Sequence, residues 1–114
     1  MSFYNSELNK KSEAIRFSER LLGILEKLYE DNPLVWTVNY IESLATLADY
    51  YAENNRLKEA IKLSEKALDI LEKLNKDDPS KWEINYVEAI DNLKLIKAQN
   101  NWWNFWFKMI LGNN

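Results

Sequence analysis

At neutral pH, eighteen carboxylates and fifteen lysine and arginine side chains make up the charged repertoire of this chain, which holds neither cysteine nor histidine. Without cysteine there is no thiol nucleophile, no disulfide and no thiolate ligand for a metal. Without histidine the side chain best suited to moving protons near neutral pH is missing, as is the commonest zinc ligand. Carboxylate pairs such as Asp77/Asp78 stand directly before a proline, where favourable placement at the start of a helix accounts for them. No glycine-rich phosphate loop, nucleophile motif or metal-ligand spacing is present. The reading is therefore a non-enzyme with no catalytic residue, cofactor or metal. The chemistry left to it is recognition, by polar groups spaced along helices and by a dense aromatic run from Trp102 to Phe107.

A net charge of −3 argues against a nucleic-acid partner, which would call for a basic stripe. Acids and bases alternate without blocks, as on solvated helical faces. No cationic start followed by an apolar run marks a secretory signal, so the expected setting is cytoplasmic. Two glycines and two prolines in 114 residues, against many Leu, Lys, Glu and Ala, favour long helices and a single domain over 1–114.

The elements that position the polar groups come in two copies. Laying residues 11–55 on 57–101 gives 21 identities in 45 positions, without a gap, at an offset of 46. Ser18-Glu19, Ile24-Leu25-Glu26-Lys27-Leu28, Pro33, Trp36 and Asn39-Tyr40 recur as Ser64-Glu65, Ile70-Leu71-Glu72-Lys73-Leu74, Pro79, Trp82 and Asn85-Tyr86. A repeat of this length cannot bury its apolar face alone, so copies must stack.

Asp31-Asn32-Pro33 and Asp77-Asp78-Pro79 each place a capping side chain before a proline at a first helical position. Asn54-Asn55 and Asn100-Asn101 offer the left-handed geometry that closes a helix. These signals predict helices over 12–30, 34–53, 56–76 and 80–99, and a short fifth helix over 102–111. In the third, Ala60, Ile61, Ser64, Ala67, Leu68 and Leu71 form one apolar stripe, with Glu59, Lys62, Glu65, Lys66, Glu72 and Lys73 opposite. Residues 1–11 are too short and polar for a further full helix, although Phe3, Tyr4 and Leu8 are placed to fold over the first pair. Gly23, in mid-helix, is expected to permit a close backbone approach.

Leu44, Leu47, Ala48, Tyr51, Leu57, Glu59-Ala60-Ile61, Ala67-Leu68 and Ile70 resemble the tetratricopeptide repeat pattern of helix, turn and helix. The long spacing is similar to the extended repeats of kinesin light chains and related bacterial proteins. Departures are Leu44 where the family often has tryptophan, Ala48 where it often has glycine, and Ser64 where it often has an aromatic. The resemblance covers about residues 12–99 and implies an all-α antiparallel superhelix acting as a protein-interaction module. In repeat order the helices run B, A, B, A, and then the aromatic segment.

In that family the first (A) helices line a concave surface that binds peptides. Carried over by position, the groove candidates are Asn39, Glu42, Ala45, Thr46, Asp49 and Glu53, then Asn85, Glu88, Asp91, Asn92, Leu95 and Gln99. Ala45 and Asp49 stand where family members that grip a terminal carboxylate use lysine and asparagine, which argues against that version. The charges suit a basic or amphipathic protein or peptide. The bland alternative is a merely solvated face. Trp36/Trp82 and the two tyrosines are read as packing between repeats, and Lys94 and Lys97, which replace Ala48 and Tyr51, as marking an edge helix.

Trp102, Trp103, Phe105, Trp106, Phe107 and Ile110 form the docking or capping candidate. By register Trp106 falls where Ala60 stood, and a tryptophan cannot fill that slot without pushing helices apart. The segment's polar line, Asn101, Asn104 and Lys108, is narrow, so it needs cover. Three coverings are open: folding back as a cap, self-association or a partner's groove, and a membrane interface. The last ranks lowest because Lys108 alone attracts little anionic lipid, and about 15 Å of helix cannot cross a bilayer.

Overall fold

The computed structural model describes residues 3–112, with side chains from residue 7 onward. Four helices account for nearly all of it: α1 (Phe3–Asp31), α2 (Pro33–Glu53), α3 (Leu57–Asp77) and α4 (Pro79–Leu111). Each packs antiparallel on its neighbours in sequence, giving a slab of 49 × 38 × 21 Å. Among the described residues there is no strand.

The two proline breaks have the same shape. Asn32 (φ −147°, ψ 81°) and Asp78 (φ −145°, ψ 80°) are single non-helical residues, each followed by a proline in the first turn. Their side chains do not make the expected cap. Instead the Asn32 carbonyl accepts from the amides of Val35 and Trp36, and the Asp78 carbonyl from those of Lys81 and Trp82. Asp78 Oδ1 is occupied by the Ser80 hydroxyl at 2.8 Å. Asn55 takes the expected left-handed conformation, at φ 64°, and turns α2 back onto α3.

Two expected boundaries are absent. Helix α1 starts at Phe3 rather than near residue 12, so residues 3–11 are part of that helix. Leu8 lies on it, 44% exposed. The side chains of Phe3 and Tyr4 lie outside the described residues. The expected fifth helix, 102–111, is the uninterrupted end of the 33-residue α4, and does not fold back. Asparagine in a helix interior costs only about 0.6 kcal/mol relative to alanine. The Asn54-Asn55 pair turns because α3 returns to pack; at Asn100-Asn101 no helix returns and nothing offsets the loss of backbone bonds.

The core runs through all four helices, α4 contributing Leu93 and Ile96. Leu25, Tyr40, Leu44 and Ala67 form one buried cluster; Ile15, Leu47, Tyr51, Leu57, Ala60 and Ile96 form another. Leu44 and Leu47 are fully enclosed, each worth about 2 kcal/mol or more by removal from water. Ala60 and Ala67 are buried as small contacts that let α3 approach its neighbours. Tyr40 stacks on Tyr29 with ring centroids 4.7 Å apart, joining α1 to α2. Burial pushes the Tyr40 hydroxyl pKa up. Gly23 does not serve close approach: a Cβ there would meet nothing within 4 Å.

Candidate functional site

Between the two A-type helices, α2 and α4, runs a groove with α3 as its floor. One part, about 220 Å³, is walled by Val38, Ile41, Glu42 and Ala45 from α2 and by Trp82, Asn85, Glu88, Ala89 and Asn92 from α4, over Ala67 and Leu71. A second part, about 200 Å³, adds Asp49, Ala52 and Glu53 from α2 and Leu95 and Ile96 from α4. Asn92 borders both parts and makes the groove continuous.

Six of the ten polar positions carried over from the sequence meet there: Glu42, Asp49, Glu53, Asn85, Glu88 and Asn92; Gln99 lines neither part. Asn39 does not. It borders a separate hollow of about 300 Å³ between α1 and α2, with Ser18, Leu21 and Thr46. Asp91 is exposed and lines neither part of the groove.

Sequence reasoning missed the groove's apolar half: Val38, Ile41, Trp82 and Ala89. The only signal was that Val38, Ile41 and Trp82 are apolar positions kept apolar in the other copy, as Ile84, Val87 and Trp36, which does not by itself separate a groove wall from a core. Trp82, read with Trp36 as packing between repeats, is a wall of the groove, whereas Trp36 is half-buried against the first core cluster.

The electrostatics are one-sided. The groove's lining includes four carboxylates, Glu42, Asp49, Glu53 and Glu88, and no lysine or arginine. Partial burial, and then the charge of Glu53 one helical turn away, raise the Asp49 pKa above the ordinary carboxylate value. A cation entering the groove would relieve that repulsion.

A second hollow, about 560 Å³, lies where α4 passes the α2–α3 turn, between Arg56, Lys58 and Glu59 on one side and Trp103, Asn104 and Phe107 on the other. Beside it Arg56 forms a two-pronged pair with Glu59, at 2.8 and 2.6 Å, and its guanidinium sits 4.2 Å from the Tyr51 ring centre. Tyr51 donates to Glu19 Oε2 of α1 at 2.5 Å. The knot ties three helices together.

Of the aromatic candidates, Trp103 alone is half-buried, packed on the second core cluster. Trp102, Trp106 and Phe107 lean on it with ring centroids 5.5, 5.7 and 6.1 Å away. Trp102, Phe105, Trp106, Phe107 and Ile110 remain 40–62% exposed. Among the described residues no helix is long and apolar enough to cross a membrane.

Residues 41–80, most of α2 with all of α3, match the family model of the tetratricopeptide repeat. That match supports a helical repeat of the kind that serves protein–protein interaction, and it does not distinguish the kinesin light chain type. No curated protein and no solved structure matches the chain.

Proposed function

We propose that the chain is a protein-interaction module, of the extended-repeat type seen in kinesin light chains, whose α2/α4 groove holds a basic, amphipathic segment of a partner protein. One observation carries this reading: the groove is lined by four carboxylates and no cation, alongside apolar walls at Val38, Ile41, Trp82 and Leu95. Lysines or arginines on one edge of an incoming helix or strand meet Glu42, Glu88, Asp49 and Glu53, while its apolar residues cover Trp82 and Ile41. The family's concave surface supports the same placement.

Fluorescence anisotropy with a labelled helical peptide, leucines on one face and lysines along the edge, tests it. Binding at micromolar Kd is expected, weakened about tenfold by Glu42→Lys or Glu88→Lys, as loss of a charge contact worth about 1.4 kcal/mol implies. An acidic peptide of the same apolar pattern should not bind. Equal binding of both peptides, or indifference to both substitutions, would overturn the proposal.

A further inference from the structure

The internal repeat lets each helix face be compared with its counterpart 46 residues away. On α3, Leu63, Ala67 and Ile70 are covered, packed in the clusters that hold α2. Their counterparts on α1 are Phe17, Leu21 and Ile24, and these are 71, 43 and 58% exposed. They share one face of α1. Helix α1 therefore presents, bare, the stripe that on α3 receives an A-type helix.

Helix α4 is the complement. It is an A-type helix by register, and its outer face carries Ile84, Val87 and Trp102 at 74, 48 and 56% exposure, with Phe105 at 62% continuing the same line. In the α2–α3 hairpin, which turns at Asn55, Leu44 and Ala67 share one cluster. Replacing each partner by its repeat counterpart, 46 positions later for α2 and 46 earlier for α3, sets Ile90 of α4 against Leu21 of α1, Val87 against Ile24, and the carboxylate of Asp91 against Arg20. Apolar residues meet apolar residues and an acid meets a base at these positions.

The helix lengths agree as well. The inner helices have 21 residues each, whereas α1 has 29 and α4 has 33. The extra turns, at the start of α1 and the end of α4, lie at the same end of the slab, beside the Asn55 turn. Pairing α4 with an α1 in antiparallel fashion would run these extensions alongside each other and cover the aromatic end.

We propose that the occupant is a second copy of this chain: the outer face of α4, aromatic end included, docks on the bare stripe of α1 in the next copy, so that molecules join head to tail. The interface is heterologous and leaves a free stripe and a free α4 at the two ends of every assembly. It is independent of what the α2/α4 groove binds.

Light scattering coupled to gel filtration, together with mixing of variants, tests it. The intact chain should exceed its 13.6 kDa mass increasingly as concentration rises through about 10–100 µM, as for an interface worth about 6–7 kcal/mol. Phe17→Glu with Ile24→Glu spoils the stripe; Val87→Glu with Trp102→Glu spoils the docking face. All four side chains are 48–71% exposed, so the fold tolerates them. Each variant alone should stay monomeric, and an equimolar mixture should give a dimer of twice 13.6 kDa, because one good interface remains. A monomeric intact chain over that range, a stripe variant that associates like the unmodified chain, or a mixture no heavier than its parts would each overturn the proposal.

Discussion

Lys97 Nζ lies 3.5 Å from Glu65 Oε2, and this pair repeats, 46 residues on, the contact in which the Tyr51 hydroxyl donates to Glu19. The carboxylate is kept and its partner changed. Tyr51 is 7% exposed because α3 covers it; Lys97 stands on α4, where no further helix does. A buried phenol suits the first setting and a charged, half-exposed side chain the second.

Tyr51→Phe should therefore destabilise the fold by about 1–2 kcal/mol, the worth of a part-buried hydrogen bond to a charged acceptor. Lys97→Met should change stability by no more than about 0.5 kcal/mol, as for an exposed ion pair. Urea melts of the two variants make the comparison.

Tyr51 also sets a pH dependence. Burial, and then its bond to Glu19, push its pKa up from 10.0 to about 12. The unfolded chain loses this proton first, so the stabilisation is intact below pH 10 and is lost as pH rises through 12. Tyr51→Phe should flatten that alkaline fall in melting temperature; an unchanged slope would assign it to other groups.

At Gly23 a methyl group meets open space. Gly23→Ala should stabilise α1 by about 0.5–1 kcal/mol, seen as a rise of about 4 °C in thermal melting.

Asn75 Oδ1 is buried without a hydrogen-bond partner, in the place where the first repeat has Tyr29, which stacks on Tyr40. Asn75→Tyr removes the unsatisfied oxygen and offers the same stack to Tyr86. A gain of about 1 kcal/mol is expected, and a loss in the melt would show that the second repeat is packed differently there.

Trp103 and Trp102 are neighbours with unlike roles. Trp103→Ala should cost about 2 kcal/mol, less than a fully buried aromatic, while Trp102→Ala should cost the isolated fold about 0.5 kcal/mol, the value of one edge-to-face contact.

Much of this arrangement was legible in the residues. Proline after Asn32 and Asp78 fixed two helix starts, and the α3 stripe named its buried side. The continuation of α4 was not legible, because Asn100-Asn101 copies Asn54-Asn55 and only the return of α3 distinguishes them. The groove was half legible: polar positions carried over from the first helices mostly landed in it, but Asn39 turned toward α1. The phase of a helix against two neighbours, rather than one, decides that. The Arg56–Tyr51–Glu19 knot ties Glu19 to residues 32 and more further along, beyond any local pattern.

The single-residue corners at Asn32 and Asp78 act as fixed hinge pins. One added or deleted residue there would rotate everything downstream by about 100° about the helix axis, swinging Leu44 or Leu93 out to water. The three-residue turn at 54–56 has no such tightness. Evolution can therefore lengthen this molecule cheaply only on the side where the aromatic end emerges, and the opposite rim must keep its length.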